Sequence, residues 1–214
     1  MFNLNLQTLI LLIPVILLAL SVHEFSHGLA AYRLGDPTAK YAGRLTLNPL
    51  SHLDPIGTLM LFLVGFGWAK PVPVDPRHFA NPKRDMLRVA LAGPGANMAL
   101  ALLSGLVIRF INAHPGPFIG SVIGNRFAVM MVLSLRINLA LAVFNLLPIP
   151  PLDGSKVLYG LLPPQYEHVT YNLERYGPGI LFGLILLGMV TGVSILWAFI
   201  GPFVGFFSTL FAGA

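Results

Sequence analysis

Residues 8–32 read TLILLIPVILLALSVHEFSHGLAAY, and this stretch decides the fold. It is uncharged up to His23 and apolar again from Gly28 to Tyr32. A helix that crosses a bilayer needs about 20 mainly apolar residues. The stretch therefore predicts a first transmembrane helix over about residues 6–32, with two histidines and a glutamate inside it.

The composition of the whole chain is typical of a membrane protein. Hydrophobic residues make up 56% of the sequence and charged residues 10%, whereas globular proteins carry about a quarter charged residues. The net charge is +5, but the basic residues lie between apolar stretches, where they indicate topology, so we expect no nucleic-acid partner. With no cysteine, any metal would need nitrogen and oxygen ligands. The N-terminus lacks the basic region of a signal peptide, so we expect the first helix to be retained.

Three further apolar stretches predict transmembrane helices over about residues 86–109, 127–147 and 179–200. The tail from Gly201 to Ala214 is apolar but contains Pro202, and we expect it at the interface. The domain organisation expected is a single intramembrane domain of residues 1–214.

Residues 43–69 predict a different kind of element. Ile56 to Ala69 is apolar but too short to cross a bilayer, and Arg44 to Leu47 alternates polar and apolar side chains as a short strand does. The fold class expected is an all-α polytopic membrane protein with about four transmembrane helices and a re-entrant β-hairpin-like segment over about residues 43–69.

The basic residues predict the orientation in the membrane. The stretch from Arg33 to Arg88 carries eight, and only Arg109 and Arg126 flank the loop after the second predicted helix; the eight are Arg33, Lys40, Arg44, Lys70, Arg77, Lys83, Arg84 and Arg88. Because cytoplasmic loops are rich in Lys and Arg, both chain ends are expected outside. The C-terminal ends of the first and third helices then share the cytoplasmic side.

The motif His23-Glu24-Phe25-Ser26-His27 is HExxH. In a helix this spacing places the two imidazoles about 40° apart on one face, where both can bind one zinc ion, and Glu24 about 100° round from His23 can reach water beside it. A chance match is the alternative. It is disfavoured here because unpaired ionisable groups in an apolar helix each cost several kcal/mol.

Two histidines leave a hydrolytic zinc site short of a third protein ligand. The segment NLLPIPPLDG, residues 145–154, follows the third predicted helix and offers Asp153 as the candidate. An ordinary Asp-Gly turn after a helix is the alternative, and spacing alone favours it slightly.

Three motifs together resemble the site-2 protease family of intramembrane zinc metalloproteases. They are HEFSH, AGPGAN at residues 92–97 and NLLPIPPLDG, in the family's order, and NPLSHLDPIGT at residues 48–58 also resembles the short bacterial members. This chain has no PDZ domain inserted between its spans and no nucleotide-binding module. The resemblance implies one Zn²⁺ per chain held by His23, His27 and Asp153, with Glu24 as the catalytic base.

The resemblance also implies the activity and the partners. Such an enzyme hydrolyses peptide bonds within or near transmembrane segments of membrane proteins, in regulated intramembrane proteolysis. We therefore expect a substrate with a single transmembrane segment, a lipid bilayer as surroundings, and a multi-pass location in the cell membrane with the active site toward the cytoplasm.

Substrate contacts are predicted at two places. Asn145 and Asn97 could bond a substrate backbone, or only bond between helices. Arg44, Leu45, Thr46 and Leu47 are expected to offer a strand edge to an unwound substrate, with plugging of a lateral opening as the alternative. His52 is a further candidate, although a turn held by Asp54 is the simpler role for that segment. Gly93 is expected to allow close helix packing, and Arg136 has no assigned role.

Two other functions use the same residues. A polytopic transporter could use His and Asp as an ion relay, but the sequence has no inverted repeat. An inactive zinc-binding membrane scaffold would keep the ligands, and only an activity assay separates it from a protease.

Overall fold

The structure is a computed structural model that describes residues 6–64, 67–116 and 118–213. Eight α-helices lie in these residues: α1 Leu6–Arg33, α2 Thr38–Tyr41, α3 Pro55–Val64, α4 Pro82–Ala113, α5 Val122–Asn145, α6 Asp153–Leu161, α7 Glu167–Thr191 and α8 Ile195–Ala212. Single 3-10 turns lie at Pro49–Ser51, Pro76–His78 and Pro164–Tyr166. The prediction of an all-α polytopic membrane protein is confirmed.

Five of these helices are long and apolar enough to cross a membrane: α1, α4, α5, α7 and α8. α1 and α4 contain the first two predicted transmembrane segments, and α5 contains the third except for its last two residues, 146 and 147. The fourth prediction, residues 179–200, is wrong as a single helix, because the chain breaks between Thr191 and Ile195. Gly192 adopts a left-handed φ of 71°, and Ser194 caps α8 by accepting a hydrogen bond from the backbone N–H of Trp197. Pro202 lies inside α8 and does not end it.

The segment 43–69 also differs from the prediction, and its residues 65 and 66 lie outside the described part of the chain. Over residues 43–58 no strand forms beyond one isolated antiparallel bridge between Leu53 and Ala69. The sequence Asp54-Pro55 starts α3 instead, since Pro55 fits the first helical position and Asp54 Oδ1 accepts a hydrogen bond from Gly57 N at 2.7 Å. The expected bond from Asp54 to the backbone is therefore present, but it stabilises the start of a helix.

α4 is the centre of the bundle and packs against α1, α5, α6 and α8. Asn97 of α4 contacts Ala19 and His23 of α1, and Val89 contacts His27, so the two helices are antiparallel. α5 is antiparallel to α4 on another side, and α6 then runs back along the first turns of α4, where Gly160 meets Leu87. The ends of α1 and α5 that carry the motifs therefore meet α4 at the same depth.

The end of α8 lies beside the C-terminal end of α4. Arg109 donates hydrogen bonds to the carbonyls of Phe211 and Leu210 at the end of α8. Lys83 at the other end of α4 donates to the carbonyl of Leu162, just before α7. Between them, α7 and α8 thus pass from one end of the bundle to the other.

A buried carboxylate joins the end of α1 to residues 70–79, which we call the strap. Asp36 is fully buried; its Oδ1 accepts a hydrogen bond from Thr38 N at 3.0 Å and lies 3.0 Å from His78 Nδ1, and its Oδ2 accepts from Asp75 N at 2.8 Å. Burial alone would raise the pKa of Asp36, yet these hydrogen bonds outweigh it and hold the pKa below its ordinary value. The ionised carboxylate therefore stabilises the strap.

We expect Asp36→Ala to loosen the strap by about 2–3 kcal/mol, because the N–H groups of Thr38 and Asp75 lose their acceptor. Since the pKa is lowered on folding, the stabilisation is complete at neutral pH and is lost only as the pH falls below the ordinary carboxyl pKa. Hydrogen exchange of residues 72–79 measures both effects. Arg77→Ala is the control, because it removes an ion pair whose arginine is exposed and which contributes little. Equal exchange in the two variants would contradict the assignment.

Candidate active site

Three side-chain atoms converge at mid-depth in the bundle. His23 Nε2 and His27 Nε2 lie 3.0 Å apart, and Asp153 Oδ2 lies 3.2 Å from the first and 3.1 Å from the second. All three residues are buried. The structure thus brings together the two histidines of HEFSH and the aspartate of the LDG motif, which are 126 residues or more apart in the chain.

The hydrogen bonds of the two imidazoles fix which nitrogen carries the proton. His27 Nδ1 lies 2.8 Å from the carbonyl of Val89, so Nδ1 must be the donor. His23 Nδ1 lies 2.6 Å from Asn97 Oδ1, and the orientation of that amide is fixed because its Nδ2 donates to the carbonyl of Ala19. In the neutral rings, both Nε2 atoms therefore point lone pairs at the Asp153 carboxylate.

Three lone pairs this close repel one another unless a cation lies among them. Around tetrahedral zinc with bonds of about 2.0–2.1 Å, neighbouring ligand atoms are about 3.3 Å apart. The observed edges of 3.0–3.2 Å fit that geometry, and two imidazoles with one carboxylate are a donor set that zinc accepts. The three residues fit a zinc ion with one position left open.

Asn97 orients His23 through a buried polar network. It is fully buried and its Nδ2 also donates to Asn138 Oδ1 at 2.8 Å. Asn138 in turn donates to the carbonyl of Ser134, and the hydroxyls of Ser134 and Ser104 bond at 2.8 Å. In metal sites, a hydrogen bond to the imidazole nitrogen that does not bind the metal fixes the orientation of the ring. Of the two roles open to Asn97 from the sequence, the structure supports bonding between helices.

Gly93 lies directly against the convergent nitrogens. A Cβ there would sit 2.4 Å from His27 Nε2 and 2.7 Å from His23 Nε2. The sequence assigned Gly93 only to helix packing, and its part in the site was missed. The motif AGPGAN contained the signal, since it places a glycine four residues before Asn97 on α4.

Asp153 reaches the site because the chain reverses directly after α5. α5 ends at Asn145, and Asp153 is the first residue of α6. Gly154 permits the reversal, because a Cβ there would lie 2.2 Å from the carbonyl oxygen of Leu146. The prolines and the glycine of NLLPIPPLDG thus position one carboxylate at depth.

Glu24 stands beside the three residues without joining them. Its Oε2 accepts a hydrogen bond from the backbone N–H of Val72 in the strap at 2.9 Å. It faces a cavity of about 520 Å³ that also contains His23, His27 and Asp153. The other walls come from Gly67 to Val74, from α4 and the end of α5, and from Pro178, Leu181, Phe182 and Ile185 of α7.

The predicted substrate-binding residues divide into two groups. Asn145 lines the cavity and donates from Nδ2 to the carbonyl of Leu141. Six others are absent from the cavity wall: Asn97, which contacts His23 instead, and Arg44, Leu45, Thr46, Leu47 and His52.

Arg44 and His52 of the second group are buried, and they hold the strap and residues near it in place without lining the cavity. Arg44 donates from Nη2 to the carbonyl of Lys70 at 2.6 Å, and His52 Nε2 bonds the carbonyl of Thr46 at 2.8 Å. Trp68 and Val72 line the cavity and were not predicted. The run KPVPVDP, residues 70–76, was the signal for Val72, because alternate prolines keep a chain extended.

We expect Gly93→Ala to lower zinc affinity by about tenfold or more, because the new Cβ displaces both imidazoles. Gly95→Ala is the matched control, since a Cβ at Gly95 meets no atom within 4 Å. Metal content after dialysis against a competing chelator measures the difference. Equal zinc retention by the two variants would show that Gly93 is not required by the site.

Comparison with known proteins agrees with this geometry. The sequence profile of peptidase family M50 matches residues 113–188. No solved structure matches the chain.

Several named proteins are similar over most of the chain. YwhC of Bacillus subtilis, provisionally named a zinc metalloprotease, is 37% identical over 87% of this chain and 84% of its own length. Rip2 of Mycolicibacterium smegmatis, provisionally named in the same way, is 31% identical over 89% of this chain and 70% of its own length. Zinc metalloprotease MJ0392 of Methanocaldococcus jannaschii is 27% identical over 58% of this chain and 34% of its own length. The chain belongs to peptidase family M50, the site-2 proteases, and is an intramembrane zinc metalloprotease.

Proposed function

We propose that this protein is an endopeptidase of the HExxH type that cuts a peptide bond within or near the transmembrane segment of a membrane protein. His23, His27 and Asp153 hold one Zn²⁺, and Glu24 is the catalytic base. The observation that carries the proposal is the convergence of three lone pairs beside Glu24 in a cavity at membrane depth. When bound, zinc polarises the scissile carbonyl and lowers the pKa of water, so that a nucleophile forms at neutral pH.

Glu24 moves the protons of the reaction. The backbone N–H of Val72 holds Oε2, which leaves Oε1 to accept a proton from the attacking water. The carboxyl then donates that proton to the leaving amine. In this scheme the strap positions the base, while α1, α4 and α6 position the zinc ligands.

The substrate enters as an unwound segment, because a helix hides its amides in internal hydrogen bonds. Unbonded amides in an apolar site cost several kcal/mol each, so the site must offer partners. Asn145 and the extended residues 67–74 line the cavity and supply such groups. Arg44 to Leu47 and His52 hold this segment in place. Arg44 donates a hydrogen bond to the Lys70 carbonyl, and the backbone N–H of Lys70 donates to the His52 carbonyl.

The chain crosses the membrane an even number of times, with α7 and α8 making one crossing between them. Gln7 of α1 and Asn125 of α5 line one groove, so the start of α1 lies near the start of α5. The end of α8 lies at Arg109, at the same end of the bundle. The basic segment 33–88 lies at the opposite end. By the positive-inside rule, that end lies on the cytoplasmic side of the cell membrane, and the active site is nearer to that side.

We expect Glu24→Gln to keep zinc and to lose proteolysis by about 10²–10⁴-fold, because an amide cannot take up the proton of water. Asp153→Ala is the contrasting variant and should lose both zinc and activity, since two imidazoles alone hold zinc weakly. Metal analysis and cleavage of a model membrane substrate by the purified proteins measure both.

Near-normal cleavage by Glu24→Gln would contradict the base assignment, and full zinc with intact activity in Asp153→Ala would remove that residue from the ligand set. The assay also separates a protease from an inactive zinc-binding scaffold. Family membership does not favour the transporter.

The proposed topology predicts how introduced cysteines react in intact cells. The chain has no cysteine of its own, so single substitutions report without background. Lys83→Cys should resist an impermeant thiol reagent, because it lies at the cytoplasmic end of α4. Gly116→Cys and Gly213→Cys should react. Protection of Gly213→Cys together with reaction of Gly116→Cys would mean that α7 and α8 each cross.

A further inference from the structure

Arg136 lies deep in the membrane. The uncharged part of α4 runs between Arg88 and Arg109, which at 1.5 Å per residue are about 31 Å apart, the thickness of the hydrocarbon core. On α5, Asn138 bonds Asn97 and Ser134 bonds Ser104. Arg136 lies between these two contacts, more than about 10 Å from either boundary.

The Arg136 side chain points away from the bundle. It is exposed, whereas Ser134 and Asn138 on the opposite face of α5 are buried. In the part of the chain that the structure describes, Arg136 makes no hydrogen bond, ion pair or ring contact. Arg109 shows the contrast, because its guanidinium binds two carbonyls of α8.

An arginine in this position is costly. A charged side chain at the bilayer centre costs several kcal/mol, and such residues almost always face the bundle interior or a partner. Snorkelling to the headgroups serves residues near helix ends, and Arg136 is not near one. Among the acidic residues of the long helices and α6, Glu24 and Asp153 are committed to the active site, and Asp85 pairs with Arg88. Glu174 of α7 forms no ion pair with Arg136 either, so a partner must come from outside the described residues.

We propose that Arg136 is the centre of a docking surface for a transmembrane helix of another protein that carries a carboxylate near mid-bilayer. Val129, Val132 and Arg136 lie on one stripe of α5 at helical spacing, and both valines are exposed. A groove of about 260 Å³ beside the stripe is lined by Ile108, Val129 and Val132 together with neighbouring apolar residues and Asn112. The groove accepts apolar side chains of the partner while the guanidinium binds its carboxylate.

Charge decides between this partner and a second copy of the chain. A symmetric contact on this stripe would bring two Arg136 side chains together, and like charges in a low-dielectric environment repel. A foreign carboxylate at the same depth removes the cost on both sides, because each charge is expensive alone and the pair forms charge-assisted hydrogen bonds.

The test uses the full chain in phosphatidylcholine vesicles, labelled at an introduced Gly116→Cys, and three polyleucine helix peptides. One peptide carries a single central Asp, the second a central Asn and the third only Leu. Energy transfer between the labelled protein and each labelled peptide measures association. We expect the Asp peptide to associate about tenfold more tightly than the Leu peptide, and more tightly than the Asn peptide.

Variants assign the preference to Arg136. Arg136→Leu should abolish it, Arg136→Lys should keep most of it, and Arg126→Leu near the end of the same helix should leave it unchanged. Equal association of the Asp and Leu peptides with the wild type overturns the proposal without any variant. Survival of the preference in Arg136→Leu also overturns it. A third result would also overturn it: no preference among the peptides, together with selective binding of phosphatidylglycerol by the protein. That result would make the surface a site for lipid phosphate.

Discussion

The convergence of His23 Nε2, His27 Nε2 and Asp153 Oδ2 is the constraint on which the rest of the structure depends. Three lone pairs within 3.2 Å of one another are tolerable only around a cation. Their side chains come from α1 and α6, and Gly93 of α4 closes the third side without a Cβ. The relative depth of three helices is therefore set by a triangle of ligand atoms. In a bilayer, where burial of apolar side chains does not drive helices together, such a polar centre specifies how they associate.

A network of short polar side chains extends this specification through the bundle. From His23 it runs through Asn97 and Asn138 to Ser134 and Ser104. Three of its contacts join α4 to α1 or α5, and the Asn138–Ser134 bond lies within α5. Every member is bonded, which is what an apolar environment demands of polar groups. The network accounts for α4 lying at the centre of the bundle. It also keeps the proton on His23 Nδ1, so that Nε2 remains a ligand.

Local spacing explains which parts of the molecule the sequence could predict. HEFSH fixes its two imidazoles within one helix turn, and long apolar runs predict α1, α4 and α5 with no tertiary information. Asp153 was reached through family resemblance, because the reversal at Leu146 to Gly154 is a long-range event. The break at Gly192 was missed, since the sequence stays uncharged across it and the break is marked only by a left-handed glycine and the capping residue Ser194. Gly93 serves the site because it has no side chain, and Val72 serves it through its backbone N–H. Hydrophobic patterns reveal neither property.

The position of the base is set partly by residues outside the long helices. Glu24 lies on the same helix as the zinc ligands, yet its Oε2 is held by Val72 of the strap. The strap is fixed at one end by Arg44 and the His52 carbonyl at Lys70, and at the other by the buried carboxylate of Asp36. Alternate prolines stiffen the residues between these anchors. The ligands and the base are therefore held by two separate sets of contacts, one at bilayer depth and one in the loops beyond α1, and productive geometry requires both.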